Sequence, residues 1–186
     1  MQSVTVNRNL MSAINYGVSF VSNCVHFEED FDASHEKSTD FDLVEIIPTE
    51  EQELVLFDLL KNRRKNISHK ETPDFGGHKE FVKNHPYRGW WLVYDSVDAS
   101  KLLGSVYVSL DNSVGLHLDF DKINFSATYF TNKLKVVMKP LKAQKSKIYK
   151  DYFYNAAPNN YEFIDWLTKS GYSESQRSFS VYNFSK

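Results

Sequence analysis

The sequence predicts an α/β or α+β layer fold in which helices cover both faces of one mixed sheet of about six strands. Residues 90–118 contain three aromatic and β-branched runs with polar turns between them, which is typical of an antiparallel meander. Segments with apolar residues at helical spacing stand on either side of this meander. One of them joins Leu118 to Ile148, so the two strands that it connects can lie parallel in the same sheet.

Length and composition are those of a folded domain. The chain has 186 residues, of which 41% are apolar and 15% aromatic, and a chain of this length buries a core without disulfides. The single cysteine, Cys24, allows no internal disulfide and favours a reducing, cytoplasmic compartment. The net charge of −2 gives no general attraction for nucleic acid or an anionic membrane, and no apolar run approaches the roughly 20 residues that span a bilayer. We therefore expect a cytoplasmic monomer or homodimer without a membrane segment.

Two regions differ in composition. Residues 1–42 are predicted to be an N-terminal extension, because residues 26–42 carry seven acidic side chains and one lysine. Residues 43–186 are predicted to form the folded domain. The extension is either an acidic linker that is partly disordered, or a segment that docks on a basic surface or in the protein's own cleft.

The first predicted elements are a strand and two helices. Residues 43–47 are aliphatic and β-branched and predict the strand. Thr49 and Gln52 have the spacing of a capping box, so a helix begins there and ends in the cations of residues 63–65. A loop is predicted over 66–77. A second helix over 78–84 must stop before Pro86, which disfavours helical backbone at the preceding residue.

Two helices and two strands follow the meander. A turn over 119–124 leads to a helix over 127–138 with Phe130 and Leu134 on its apolar stripe. A strand is predicted over 147–154, and then a helix that Asn159 caps and Gly171 ends. Alternating residues over 177–184 predict the last strand.

This order of elements, together with three groups of residues, resembles the GNAT superfamily of acyl-CoA N-acyltransferases over about residues 43–184. The first group has the pattern His78-Lys79-x-Phe81-Val82, then His85-Pro86-Tyr87-Arg88-x-Trp90-Trp91. The second is the glycine-marked hairpin Leu103-Gly104-Ser105-Val106-Tyr107, with Asn112 and Val114-Gly115-Leu116. The third is the ending Asn155-x-x-Pro158-x-Asn160, then Leu167-x-Lys169-x-Gly171-Tyr172. The resemblance implies a GNAT-like mixed central sheet.

The resemblance also implies that acetyl-CoA is the co-substrate. In this family the fourth strand splays from the fifth, pantetheine lies in the gap, and the pyrophosphate binds N–H groups at the start of the next helix. Carried over to this chain, the cofactor-binding residues are Leu118, Lys122, Ser126, Ala127, Thr128, Asn160 and Lys169. The loop departs from the family pattern, because it has no glycine, Phe125 would crowd the phosphate, and Asp119 and Asp121 would repel it. The pyrophosphate-binding loop is therefore degenerate, which argues against CoA binding.

His117 and Asp119 are the candidate catalytic residues. An acetyltransferase needs a base that takes a proton from the attacking ammonium, and histidine titrates near neutrality. On a strand over 114–119, both side chains share one face with Gly115, while the residues between them point to the core. The alternative is that His117 is an ordinary polar residue on the more solvated face.

His85, Tyr87 and Arg88 are the candidate substrate-binding residues. They could equally lock the corner between helix and strand, with Arg88 on a carboxylate and Tyr87 in the core. The six histidines show no tight metal-ligand spacing, so no metal site is predicted.

A lysine run has no acidic residue between its members: Lys133, Lys135, Lys139, Lys142, Lys145, Lys147 and Lys150. With the neighbouring aromatics it could bind nucleic acid. It could also hold the 3′-phosphate of CoA or be a solvated face. The acidic extension could fold over it and be autoinhibitory.

The predicted function is that of an N-acetyltransferase that moves an acetyl group from acetyl-CoA to an amine of a small molecule or protein. Two alternatives are open: a catalytically inactive GNAT-fold binding or structural module that has lost CoA binding, and a nucleic-acid-binding protein that uses residues 133–150. Phe125 favours the inactive module, and the ending from Asn155 to Tyr172 favours the enzyme.

Overall fold

The structure is a computed structural model that describes residues 37–63, 72–142 and 150–176. These residues form an α+β fold with one mixed five-stranded sheet and four helices. In chain order, the elements are β1 (Phe41–Glu45), α1 (Glu50–Lys61), α2 (Phe75–Asn84), β2 (Gly89–Asp95), β3 (Leu102–Val108), β4 (Ser113–Leu118), α3 (Ala127–Val137), β5 (Phe153–Tyr154) and α4 (Tyr161–Lys169).

The sheet has the strand order β1-β2-β3-β4-β5. The first four strands pair antiparallel, which confirms the predicted meander, and β4 pairs with β5 in parallel across the helix that joins them. The parallel pairing involves Ser113 with Phe153 and Val114 with Tyr154. Within the described residues, the second half of β4 therefore extends past the end of β5.

Helices cover both faces of the sheet, as predicted. Successive residues of β2 belong to two different cores: Trp90 and Leu92 pack with α1 and α2, whereas Trp91 and Val93 pack with α3 and α4. This division follows from the period of two in a strand, which sends neighbouring side chains to opposite faces. A central strand that is buried on both sides must be apolar throughout, and the run over 90–94 has that composition.

The helix caps explain where the first two helices start. Thr49 Oγ1 accepts from the N–H of Gln52 at 3.4 Å, so Thr49 caps α1 where the sequence predicted a helix start. Gln52 Oε1 accepts from the N–H of Ile47 and not from that of Thr49, so the reciprocal bond of a capping box does not form. Helix α2 begins at Phe75, earlier than predicted, because Asp74 Oδ1 accepts from the N–H of Gly77 at 2.7 Å. This aspartate cap places two glycines in the first turn, where the sequence predicted a loop.

Several predicted boundaries change. β1 begins at Phe41, and Ser38 already bridges to Ile123 in parallel, so folded structure starts before the predicted domain boundary at residue 43. The predicted strand over 147–154 is described only from residue 150 and pairs over two residues. The sixth predicted strand, over 177–184, and the extension up to residue 36 lie outside the described residues.

Candidate functional site

A large cleft lies on the face of the sheet that carries α1 and α2. Its cavity volume is about 1380 Å³, above the roughly 300–1,000 Å³ of common small-molecule sites. Both helices, β3, β4 and the start of α4 contribute to its walls. The cleft therefore includes the part of β4 that extends past β5.

Gly115 allows an aromatic wall to form in this cleft. It pairs with Tyr107 across β3 and β4, and a Cβ at this position would lie only 1.9 Å from the Tyr107 ring. The ring therefore lies over β4 and stacks on Tyr87, with the ring centres 3.9 Å apart. Trp90 meets the Tyr87 ring edge-on at 5.4 Å. Glycine is thus required at position 115 of the predicted hairpin because the Tyr107 ring occupies the space of a Cβ.

His117 lies on β4 and lines the cleft. The pairing across the sheet aligns it with Ser105 and Leu92, and Leu92 packs against α1 and α2. Val114 and Leu118 lie in the core on the opposite face, so the predicted facing of β4 is confirmed. Burial first, and then the positive charge of Arg63, lower the pKa of His117 below its usual value. The ring is therefore neutral at pH 7 and able to accept a proton.

Asp119 follows β4 and lines the same cleft. Its Oδ2 lies 3.2 Å from Lys122 Nζ, and its Oδ1 accepts from the N–H of Asp121 at 3.2 Å. Its negative charge opposes the lowering of the pKa of His117. The carboxylate thus shapes the turn after β4 and favours a positive charge on the neighbouring imidazole.

The three candidate substrate-binding residues lie in different surroundings. Tyr87 lines the cleft, whereas His85 and Arg88 are not part of its lining. His85 stacks on the Tyr87 ring at 5.4 Å. Arg88 donates to Asn112 Oδ1 at 3.2 Å and to the carbonyl of Lys139 at 3.0 Å. The prediction that Arg88 would meet a carboxylate was wrong, and its contacts instead hold the β3–β4 turn against the segment after α3.

The predicted cofactor-binding residues divide between two cavities. Leu118, Lys122 and Asn160 line the large cleft. Ser126 and Lys169 line a smaller cavity of about 440 Å³ between α4 and the loop before α3. Ala127 is fully buried, and Thr128 donates its hydroxyl to the carbonyl of Ser170. Lys169 pairs with Asp165 at 2.7 Å, so its charge is shared with a carboxylate.

The loop before α3 does not fit a pyrophosphate in the manner of the GNAT family. Its N–H groups already donate within the protein: that of Asn124 to the carbonyl of Ser38, and that of Ala127 to Ser170 Oγ, both at 2.8 Å. The N–H of Tyr129 donates to Ser126 Oγ at 3.2 Å. A phosphate would have to displace these acceptors, so no step of a reaction is assigned to the pyrophosphate here.

The Phe125 ring packs in the hydrophobic core, and the residue also borders the smaller cavity. The ring is 7% exposed and belongs to the core beside α3. Its centre lies 4.8 Å from that of Phe41 and 6.2 Å from that of Phe130. The backbone of Phe125 also accepts a hydrogen bond from Trp166 Nε1 at 2.8 Å. The residue that the resemblance aligns with a GNAT glycine thus packs in the hydrophobic core.

Part of the lysine run is paired. Lys133 Nζ lies 2.6 Å from Asp40 Oδ1, and Lys135 Nζ lies 2.7 Å from Asp151 Oδ2. Asp40 belongs to the predicted acidic extension and also accepts from the hydroxyl of Tyr129 at 2.6 Å. Among the residues that the structure describes, the extension therefore contacts the lysine run through Asp40 and Lys133. Lys145 and Lys147 lie outside the described residues.

Three further residues line the cleft and were not singled out from the sequence: Arg63, His78 and Trp90. Arg63 was interpreted only as a cation that suits the end of a helix. His78 and Trp90 appeared only in the motif of the resemblance. No periodicity in the sequence shows that their polar atoms face a cavity, because that depends on how α1 and α2 pack on the sheet.

Comparison of the sequence with models of protein families finds no match, and comparison with curated proteins finds none either. Of the helices described, none has the length and apolar character needed to cross a membrane. In the described ranges, no group of three or more histidine, cysteine, aspartate or glutamate side chains is placed to hold a metal ion.

Proposed function

We propose that this chain is a GNAT-like N-acyltransferase domain that transfers an acetyl group from a thioester to an amine bound in the large cleft. One observation carries the proposal. β4 pairs with β5 only at its beginning, and the half that extends past β5 carries a neutral histidine into the cleft. In the GNAT family the pantetheine arm of the acyl donor lies in the gap that opens where the fourth strand is no longer paired with the fifth.

In this proposal His117 accepts the proton that the amine loses as its nitrogen attacks the thioester. Burial and the charge of Arg63 keep the imidazole unprotonated at neutral pH, so the base is ready to act, although each of these influences also weakens it. Asp119 partly offsets this weakening through its negative charge. Tyr87 and Tyr107 provide an apolar wall for the acceptor, which is a small molecule or an exposed amino group of a protein.

The proposed donor is recognised through pantetheine more than through pyrophosphate, because the loop before α3 uses its N–H groups internally. The experiment compares acetyl-CoA with S-acetylpantetheine, which lacks the pyrophosphate, and follows the release of free thiol with a panel of amines. We expect similar KM values for the two donors. Replacing His117→Gln should lower kcat by about 100-fold or more, while Asn84→Ala, at an exposed position outside the cleft lining, serves as the control. Thiol release that is absent with both donors, or unchanged in H117Q, would reject the enzyme.

A second candidate function is a GNAT-fold binding module that has lost CoA. The engaged N–H groups of Asn124 and Ala127 favour it specifically. Titration calorimetry separates the two candidates: a micromolar constant for acetyl-CoA, about −8 kcal/mol, supports the enzyme. Absence of heat with both acyl donors, together with binding of an amine ligand in the cleft, supports the module.

The nucleic-acid alternative receives less support, because Lys133 and Lys135 are each paired with a carboxylate. Its test is the salt dependence of binding to single-stranded DNA or RNA. Contacts with several phosphates require log K to fall steeply and linearly with log[salt], and weak binding with a shallow slope would exclude this use of the run.

A further inference from the structure

The cleft contains buried polar atoms that have no hydrogen-bond partner among the residues described. They are Arg63 Nε, His78 Nε2 and Trp90 Nε1. His78 is 4% exposed and Trp90 is 8% exposed, and both residues line the cavity. Buried polar groups are almost always paired in folded proteins. Three such atoms along one cleft therefore indicate the polar groups of a ligand.

The chemistry of each atom defines what the ligand must offer. The His78 ring hydrogen-bonds the backbone of Glu53, and since Nε2 is the nitrogen without a partner, Nδ1 is the donor of that bond. In the neutral ring Nε2 is then an acceptor. Trp90 Nε1 and Arg63 Nε are donors only. The ligand must therefore present acceptor atoms to two N–H groups and a donor to His78.

Arg63 adds a positive charge to this requirement. No carboxylate pairs with its guanidinium in the parts of the chain that the structure describes, and Asp119, a carboxylate that also lines the cleft, is paired with Lys122. Arg63 lines the same cleft as Tyr87 and His117, and its positive charge acts to lower the pKa of both groups. The Tyr87 ring contacts Trp90, so both donors line the cleft that contains the proposed base.

We propose that the cleft binds a small amine that carries a carboxylate or phosphate, with the anion held by Arg63 and the indole N–H of Trp90. A hydroxyl or N–H group of the same ligand donates to His78 Nε2. Arginine suits this task because its guanidinium offers several donors in a planar fork that matches carboxylate and phosphate. This inference rests on the proposed function, since it names the class of acceptor that would bring its amine to His117.

The experiment titrates two matched pairs of probes into the full chain by calorimetry. L-Phenylalanine and 2-phenylethylamine differ by a carboxylate, and phosphoethanolamine and ethanolamine differ by a phosphate. We expect the anionic member of at least one pair to bind about tenfold tighter or more, as charge-assisted hydrogen bonds require. The pair that shows the difference identifies the anion.

Two variants locate the preference. Arg63→Met should abolish the difference within the pair. Lys61→Met, which removes an exposed cation at the end of α1 that pairs with Asp58, should leave the difference intact. If R63M does not fold, as judged by its thermal transition, Trp90→Phe provides the second variant, because it removes the indole N–H and keeps an aromatic ring. We then expect a several-fold loss of affinity that is confined to the anionic probe. Equal affinities within both pairs, or a preference that survives these changes, would overturn the inference.

The readout separates this inference from the proposed function. Anion-selective binding without any thiol release from an acyl donor would keep the ligand class and remove the transferase. Thiol release with acceptors that lack an anion, and without sensitivity to R63M, would keep the transferase and remove the ligand class.

Discussion

Replacing Phe125→Ala tests whether the loop before α3 belongs to the hydrophobic core or to a phosphate site. A ring that crowds a phosphate cradle would be dispensable for folding, and its removal would open the site. A ring that packs in the core would be required for stability. The structure places the Phe125 ring in a cluster with those of Phe41 and Phe130, whose centres lie 4.8 Å and 6.2 Å away.

The expected cost follows from burial. The side chain is 7% exposed, so nearly all of its apolar surface leaves water on folding. Truncation of a buried phenylalanine to alanine costs about 3–5 kcal/mol, because lost transfer energy adds to the energy of the cavity. We expect the upper half of that range, since the neighbouring rings are themselves confined between α3 and the sheet.

The assay is urea unfolding at pH 7, with the slope of the transition checked so that the free energies can be compared. Phe81→Ala is the control, because that ring is 43% exposed and its loss should cost about 1–2 kcal/mol by area. A cost for F125A below that of F81A, accompanied by a gain of acetyl-CoA binding, would refute the assignment of Phe125 to the core.

The remaining predictions concern the cleft and the β3–β4 turn. The pKa of His117, measured by NMR titration, should lie below 6.5, rise in R63M and fall further in Asp119→Asn; a value of 6.5 or above in the natural chain would contradict the burial of the ring. Because the unfolded chain then binds the proton first, His117 should make the protein less stable as the pH falls below about 6.5. Arg88→Met should lower the unfolding free energy by about 1–3 kcal/mol, since the carbonyl of Lys139 loses the Arg88 donor and Asn112 Oδ1 keeps the N–H of Leu141 but loses the charged donor. It should not change probe binding in the cleft, and a change there with intact stability would show that Arg88 acts on the ligand.

The sequence predicts local features well where short-range chemistry decides them. The N-cap bond from the N–H of Gln52 to Thr49 Oγ1 needs only residues three apart, and it forms where the spacing predicts a helix start, although Gln52 Oε1 accepts from Ile47 instead of closing a capping box. The facing of β4 follows from a period of two, and Val114 and Leu118 lie in the core as predicted. Such features depend on the chain within a few residues, so pattern and spacing are sufficient.

Features that depend on packing between distant segments were not predictable in this way. Phe125 stands where the resemblance to the GNAT family places a glycine, and only the contact with Phe41 of β1 shows that its ring belongs to the core. Arg63 has the same sequence context as any cation at a helix end, and only the packing of α1 on the sheet places it in the same cleft as His117. Arg88 donates to the side-chain amide of Asn112 and the carbonyl of Lys139 instead of a carboxylate, because the β3–β4 turn and the segment after α3 surround its guanidinium.

The segment before β1 provides the last prediction, because it closes the loop that a cofactor would use. Ser38 donates its N–H to the carbonyl of Lys122 and accepts from the N–H of Asn124, both at 2.8 Å. Its hydroxyl donates to Asp95, which is 8% exposed. Burial alone would raise the pKa of Asp95, but hydrogen bonds from Ser38 and from the N–H groups of residues 97 and 98 lower it overall.

Two truncations isolate this segment: one removes residues 1–36 and the other removes 1–40. The second should be less stable by an amount on the order of 3 kcal/mol, since a buried carboxylate and two backbone groups lose partners. That difference should shrink as the pH falls, because a carboxyl group with a lowered pKa stabilises the fold above its ordinary pKa and loses the effect when it protonates. Equal urea midpoints for the two proteins at pH 7 would show that Ser38 does not anchor the loop. Acetyl-CoA binding that appears only after removal of residues 37–40 would show that this segment, and not the sequence of the loop, keeps pyrophosphate out.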